Sequence, residues 1–387
     1  MKKVLFLCNR YPNTLTPTRH VFVQKLVWAL ADKGVECTVI APVPVNQYVG
    51  SFFKQPVEAT ERSPGGALIR LHFPRYFTYG QREIGSLSTS RLTVGAFHSV
   101  VKRTIANHGL KFDAVYGHFL VPAGIVASRV GREYGVPAFA AYGEATPRDP
   151  IVYGLSRLRN ELQSLAGIVS VSTENKRVLE EIRAYDADRI KVFPNAIQVD
   201  RFHPRNKSES RKRMGVPPDA FHVAFVGQFN HRKGVMRVAE AVDGLPGVTV
   251  SFAGRGDQIP RCTNLLHAGP VLPVDMPFFL SAADVFVMPT LNEGCSNAIV
   301  EAMACGLPVV SSRLPFNFDI LGDDNAILVD PHDVDAIRTS VLELKANAAR
   351  RDEMSKATIS RVSQLTLEIR AEGILNWMNE VAGGNPA

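Results

Sequence analysis

The chain reads as an α/β protein built from two doubly wound domains. Three observations predict this. Apolar runs of strand length alternate with segments of helical periodicity throughout the chain. A polar stretch rich in Arg, Lys, Ser and Pro, residues 200–219, interrupts the alternation near its middle, after which it restarts. The length, 387 residues, suits two ordinary domains.

The elements follow in order. Residues 3–8 are a continuous apolar run, the signature of a strand covered on both faces. Over 21–33, Val21, Leu26, Val27, Leu30 and Ala31 recur at helical spacing, and Gly34 stops the helix. Residues 35–41, 68–73, 114–116, 138–141 and 168–171 read as further strands, with helical segments between them. The extended run 190–193 ends at Pro194-Asn195. After the polar stretch, a linker candidate, come a strand at 223–226 and a helix from about Val235. Strands at 248–253 and 285–288 flank a helix starting at Met276. A helix over 297–304 leads into a strand at 307–311. The last helical segment, 365–381, follows the second domain and is expected to pack back on the first. A disordered end is expected at 383–387. Alternation of this kind implies parallel sheets with right-handed crossovers. Two such sheets should face a cleft, with chemistry on the loops after the strands. The expected domains are 1–195 with about 366–387, and 196–365.

Composition narrows the function. Hydrophobic residues make up 45% and charged residues 21%, a globular balance, and no apolar run is long enough to span a bilayer. The opening MKKVLFLCNRYP has an apolar stretch too short for a signal core and reads as a first strand. The five cysteines are odd in number and no pair has metal-ligand spacing. That suits reduced thiols in a cytoplasmic protein, and no structural metal is expected. Net charge is +7, and residues 1–200 carry 25 of the basic residues against 16 of the acidic ones. A basic first half can serve anionic lipid, nucleic acid or a phosphorylated substrate. Nucleic acid ranks last, because no nucleic-acid fold motif or aromatic stacking stripe accompanies the charge.

The most informative stretch is Glu293-Gly294-Cys295-Ser296-Asn297-Ala298-Ile299-Val300-Glu301. Glu293 follows a predicted strand, Gly294 permits close backbone approach, and Ser296 or Asn297 can cap the next helix. Amides at Cys295, Ser296 and Asn297 would stand at a helix N-terminus, where the dipole favours anions. Carboxylates in such places grip vicinal hydroxyls. They equally serve as an ordinary cap (Glu293) and an ordinary helix-surface residue (Glu301).

With its surroundings, this stretch resembles the donor-site motif of retaining GT-B glycosyltransferases of the family 4, or group 1, type. Gly227-Gln228-Phe229-Asn230-His231-Arg232-Lys233-Gly234 is similar to that family's strand-end glycine, basic pair and Lys-Gly. Pro194-Asn195, with Val199-Asp200, Phe202 and Pro204, is similar to its interdomain motif, and Phe252-Ala253-Gly254-Arg255-Gly256 to its second glycine turn. Tyr11-Pro12, Phe22-Val23 and Gly34 also fit.

The resemblance implies a GT-B fold of two Rossmann-like domains, the first binding the acceptor and the second a nucleotide-diphosphate sugar. It implies that Arg232, Lys233, Gln228, Thr18 and Arg19 meet the diphosphate. Glu293, Gly294, Cys295, Ser296 and Asn297 would hold the transferred sugar. Glu301, Gly254, Arg255, Val271 and Leu272 would hold the nucleoside. His118, after a first-domain strand, matches a histidine near the reaction centre and joins Glu293, Lys233 and Arg232 as a catalytic candidate. The activity implied is transfer with retention to a glycan or lipid-linked acceptor in bacterial surface polysaccharide synthesis. It needs no metal or cofactor, and the protein would be cytoplasmic, attached peripherally to the inner membrane face through its basic half. A sugar-nucleotide 2-epimerase on the same scaffold and a non-catalytic sugar-nucleotide-binding subunit are the competing readings. Three departures stand out. The loop 13–20 has no glycine, Gln228 stands where the family often has Arg, and Ala196 follows Pro194-Asn195 where the family has Gly. Tyr142-Gly143-Glu144 also replaces an expected His-Gly, so that loop carries little weight.

Overall fold

The computed structural model describes residues 1–84 and 87–384. The expected disordered end therefore lies, from residue 385 onward, outside the described residues. The chain forms two compact units, Met1–Phe193 with Leu367–Ala387, and Pro194–Thr366.

The first unit is built on β1 (Lys3–Cys8), β2 (Glu36–Ile40), β3 (Glu58–Arg62), β4 (Leu68–His72), β5 (Ala114–His118), β6 (Ala138–Tyr142), β7 (Gly167–Ser170) and β8 (Ile190–Val192). They lie in the order β8-β7-β6-β5-β1-β2-β4-β3. All pairs are parallel except β3–β4. Along β1, alternate residues serve opposite faces. Leu5 and Leu7 enter one apolar cluster, and Val4, Phe6 and Cys8 enter the other. Both faces are covered, so the strand is apolar without alternation, as its sequence indicates. β3 escaped the sequence reading for the opposite reason. Its residues Glu-Ala-Thr-Glu-Arg have no buried member, and it is held as the sheet edge by antiparallel pairing with β4 alone.

The C-terminal helix Leu367–Ala382 belongs to this first unit. Ala371, Ile374, Trp377 and Met378 complete one of its apolar clusters. The Trp377 ring lies 5.6 Å from that of Phe139. A Cβ at Gly167 would stand 2.5 Å from the Trp377 ring, so that strand position admits only glycine.

The second unit holds β9 (Phe221–Val226), β10 (Val248–Ala253), β11 (Leu265–Gly269), β12 (Val285–Met288), β13 (Val309–Ser312) and β14 (Ala326–Val329). Their order is β11-β10-β9-β12-β13-β14, all parallel, the Rossmann arrangement. Strand order reverses at β9/β12 here and at β1/β5 in the first unit. Open sheets receive ligands at such points.

The stretch 200–219, read from composition as a linker, is structured. Its helix Lys207–Met214 caps itself through Asn206 and belongs to the second unit. Arg211, only 8% exposed, donates to Asp284 at 2.7 Å and to the carbonyls of Ala282, Pro218 and Ala220. Asp284 also accepts from the His222 amide at 2.6 Å. The polar composition reflects a buried ion pair and its exposed helix face rather than a loose tether. Among the described residues no helix is long and apolar enough to cross a membrane.

Candidate functional site

In the second unit, β9 and β12 are neighbours at the strand-order reversal, and the loops after them carry the charges. After β9, Asn230 accepts the Lys233 amide at 3.0 Å through its side chain, and Gly234 turns the chain at φ 78° into the helix Val235–Val242. A Cβ on Gly234 would meet the Pro289 carbonyl at 2.6 Å, so glycine is required by the turn and by the approach of the β12 loop. Arg237 donates to the carbonyls of Pro289 and His231 and braces both loops.

These constraints deliver Arg232 and Lys233 to Glu293. The Glu293 carboxylate lies 2.6 Å from Lys233 Nζ and 2.5 Å from Arg232, and it accepts from Thr290 Oγ1 at 3.1 Å. The Lys233 and Glu293 side chains are each 12% exposed. Burial pushes the Lys233 ammonium below its ordinary value, and Glu293 partly offsets this. Arg232 also donates to the Asn292 carbonyl. The sequence placed the sugar-holding carboxylate and the phosphate-meeting cations in separate roles. Here Glu293 is the counter-ion of both cations.

The next helix, Asn297–Ala304, is capped by Ser296, whose hydroxyl accepts from the Ile299 amide. Gly294, Cys295 and Ser296 are buried, whereas Asn297 is exposed. The Cys295 carbonyl accepts from Asn195 Nδ2 at 2.9 Å, so Asn195 ties this loop to the start of the unit. The interdomain motif Pro194-Asn195 gives no sign of this bond in the sequence. Glu301 sits one turn into the helix and is partly exposed. Gln228 is exposed and accepts from Asn230 at 3.1 Å.

The second glycine turn has a backbone reason. A Cβ at Gly254 would fall 1.8 Å from the Gly227 carbonyl oxygen, and one at Gly256 would fall 2.3 Å from that of Phe229. The two turns lie against each other, and Arg255 accepts the Phe229 amide at 3.0 Å. After β11, Val271 is half-buried, while Leu272 and Val274 are 66% and 65% exposed, a solvent-facing apolar edge.

In the first unit the loops after β1, β5 and β6 border a cavity of about 370 Å³, lined among others by Asn9, Arg10, His20, Phe119, Glu144 and Asp149. Asn9 cross-links two of these loops, donating to the Val121 carbonyl and accepting from the Ala123 amide. His118 ends β5 but is only 5% exposed, enclosed by Phe22, Phe119 and Tyr116, with Nδ1 unpartnered. Burial lowers its pKa to about 3, with Arg370 and His20 adding to the effect, so the ring stays neutral. The imidazole that lines the cavity belongs to His20, lowered by burial to about 4.

Glu144, on the loop given little weight, also lines the cavity, and burial pushes its carboxyl up to about 8. It is a neutral acid at pH 7, able to donate as well as accept. No spacing signal announced it, because its surroundings come from distant segments. Thr18 and Arg19 are exposed in the loop before the helix Val21–Asp32. Asn13, not glycine, organises that loop, accepting from the Leu15 and Thr16 amides.

A family model described as Glycosyltransferase Family 4 matches residues 20–201, and one described as Glycosyl transferases group 1 matches 220–347. TuaC of Bacillus subtilis, named for teichuronic acid biosynthesis, is 25% identical over 354 residues, covering 88% of each chain. A D-inositol 3-phosphate glycosyltransferase of Paenarthrobacter aurescens is 23% identical, covering 92% of this chain and 93% of its own. Among solved structures, sucrose-phosphate synthase from Thermosynechococcus elongatus superposes with TM-score 0.78 at 18% identity, covering 98% of this chain and 99% of that one. HepE of Anabaena, solved with UDP and glucose, gives 0.68 at 15%, covering 98% and 100%. These structural likenesses show the fold, GT-B.

Proposed function

Since the chain belongs to the group 1, family 4 glycosyltransferases, we propose that it moves a sugar, with retention, from a nucleotide-diphosphate sugar to a glycan or lipid-linked acceptor. Its relatives include proteins named for cell-surface polysaccharide synthesis, which supports a role there. The observation that carries the reading is Arg232 and Lys233 paired with Glu293 at the strand-order reversal of the second unit.

In this reading the donor diphosphate takes over Arg232 and Lys233, and Glu293 turns its oxygens to the sugar hydroxyls. The diphosphate replaces Glu293 as the counter-ion of the same cations, and the Glu293 carboxylate exchanges them for hydrogen bonds from the sugar hydroxyls. The bond from the anomeric carbon to the diphosphate oxygen breaks as the acceptor oxygen bonds on the same face. The acceptor's proton passes to the departing phosphate. Negative charge grows on the diphosphate during this step, and cations already in place stabilise it without reorganising. The assignment of leaving-group charge to Arg232 and Lys233 needs no metal.

The amides after Glu293 and the helix they open suit the sugar and its diphosphate. Glu301 is assigned to the ribose. Gly254, Arg255, Val271 and Leu272 are assigned to the base, for which the exposed edge at Leu272 offers a stacking surface. Gln228, Thr18 and Arg19 keep a diphosphate role on the resemblance alone. The cavity of the first unit is assigned to the acceptor. Neutral Glu144, Asn9 and Arg10 give it donors and acceptors for hydroxyls. His118, neutral and enclosed, is assigned to positioning. Its expected catalytic role would require direct contact with substrate.

The test is a screen of purified protein against UDP-, GDP- and ADP-sugars with glycan and lipid-linked acceptors, reading the product anomer by NMR. Retained product that vanishes in Lys233→Ala supports the reading. Inverted product would remove retention from it, and an epimerised sugar nucleotide formed from donor alone would support the 2-epimerase. Flotation with anionic liposomes tests attachment through the basic first half. Equal recovery on neutral liposomes would count against it.

A further inference from the structure

The first unit contains a second cluster of ligating side chains, and no step of the proposed transfer uses it. Glu58 opens the edge strand β3 and pairs directly with His72, the last residue of β4. The helix Thr89–His108 ends beside them, so His108 completes the group. One donor atom from each of Glu58, His72 and His108 lies within 4.8 Å of the others. His108 Nε2 and Glu58 Oε1 are 3.6 Å apart, and the two imidazole rings have centroids 4.6 Å apart.

His72 is the independent observation. It is 6% exposed, yet neither ring nitrogen has a hydrogen-bond partner. Most buried polar atoms are hydrogen-bonded, because an unpaired one costs free energy, and His72 leaves both of its ring nitrogens without a partner. Its backbone is locked on both sides, the carbonyl accepting from Ala41 and the next amide, Phe73, donating to Val57. The ring is therefore held in place while its nitrogens go unused.

We propose that Glu58, His72 and His108 bind a divalent transition-metal ion of the zinc class, with water in the remaining position. Two imidazoles and a carboxylate are a borderline donor set that suits zinc, cobalt or nickel and not magnesium or calcium. Tetrahedral zinc with bonds of about 2.0–2.1 Å needs ligand atoms roughly 3.3 Å apart. The His108–Glu58 separation is already close to that value. The remaining gap closes by rotation of Glu58 and His108, both exposed, around the fixed His72. Arg70, two residues before His72, is engaged by Glu36 at 2.5 Å. The ion would pin the end of the long helix to the sheet edge. The expectation of no structural metal rested on cysteine spacing, which is silent about histidines that only the sheet and helix bring together.

Calorimetry of tag-free, chelator-treated full chain with zinc chloride tests this, with cobalt absorption as a direct report of ligand geometry. The expected result is one ion per chain and a rise in Tm with zinc but not with magnesium. Binding should weaken at least ~10-fold in both His108→Ala and Glu58→Gln. His332→Ala, at an exposed histidine of the second unit, should bind as the parent does. If His108→Ala loses stability without metal, Glu58→Gln provides the same readout. No stoichiometric binding at micromolar zinc, or binding unchanged in both variants, overturns the site.

Discussion

Replacing Glu293 with glutamine should destabilise the second unit by about 3 kcal/mol, because it strips two cations of their counter-ion. Removing one partner of a buried ion pair costs roughly 3–5 kcal/mol. The Lys233–Glu293 pair qualifies, with both side chains 12% exposed and 2.6 Å apart. Arg232, at 35% exposure, is solvated enough to add little, which places the total at the low end. The variant keeps the shape of the side chain, so the loss reports charge. Far-UV circular dichroism in urea is the appropriate probe, because both tryptophans, Trp28 and Trp377, lie in the first unit.

A cycle with Lys233→Met isolates the pair. The double variant should recover about 1–3 kcal/mol relative to the sum of the single changes, as for residues in one network. The pH dependence carries a definite sign. Lys233 already has a folded value below its unfolded one. Loss of Glu293 lowers it further, so the unfolded chain binds more protons over a wider range, and stability rises with pH there. The Glu293→Gln deficit should therefore shrink as pH approaches 10. Function should split as well. The bare cations should bind a nucleoside diphosphate at least as tightly as before, while transfer falls ~10²–10³-fold, the scale of one lost charge-stabilising contact. Stability within about 0.5 kcal/mol of the parent, or strictly additive single changes, would refute the counter-ion argument.

Further expectations follow from burial. His118 is held near 3 against an ordinary 6.5. Its contribution is present above pH 6.5 and lost as pH falls toward 3, with a ceiling on the order of 5 kcal/mol at about 1.4 kcal/mol per unit. His118→Asn should flatten the acid limb of the stability–pH curve, and an unchanged limb would show the ring to be hydrated. Glu144 has the opposite sign, being raised from 4.5 to about 8. The unfolded chain releases this proton first, so stability falls between those values. Glu144→Gln should remove that fall in thermal scans from pH 4 to 9. Gly254→Ala places a Cβ 1.8 Å from the Gly227 oxygen. It should cost about 3 kcal/mol or more, at the upper end of overpacking. A urea midpoint like the parent's would mean the two turns can part freely.

How much of this was legible in the sequence varies by residue. β1 could be read because a strand buried on both faces is apolar at every position, a property of the segment itself. The Glu293 to Glu301 stretch could be read because strand end, glycine, cap and helix are contiguous. β3 could not, since Glu-Ala-Thr-Glu-Arg buries nothing and exists as a strand only through its pairing with β4. Residues 200–219 misled because Arg211 and Asp284 neutralise each other across 73 positions, and composition counts charges without pairing them. Asn195 and Cys295, 100 positions apart, were each quoted in a motif, but the bond between them was invisible there.

Local chemistry in the sequence determined that this protein has parallel sheets and which residues stand on the loops after several of its strands, though the strands Leu265–Gly269 and Ala326–Val329 went unread with β3. Tertiary structure alone decided which of those loops meet. It made Glu293 the counter-ion of Arg232 and Lys233, kept His118 and Glu144 neutral, and set His72 between Glu58 and His108. Periodicity reports what one segment needs from its surroundings. A pKa or an ion pair depends on which surroundings strand order supplies, and that order follows from the packing of the whole sheet.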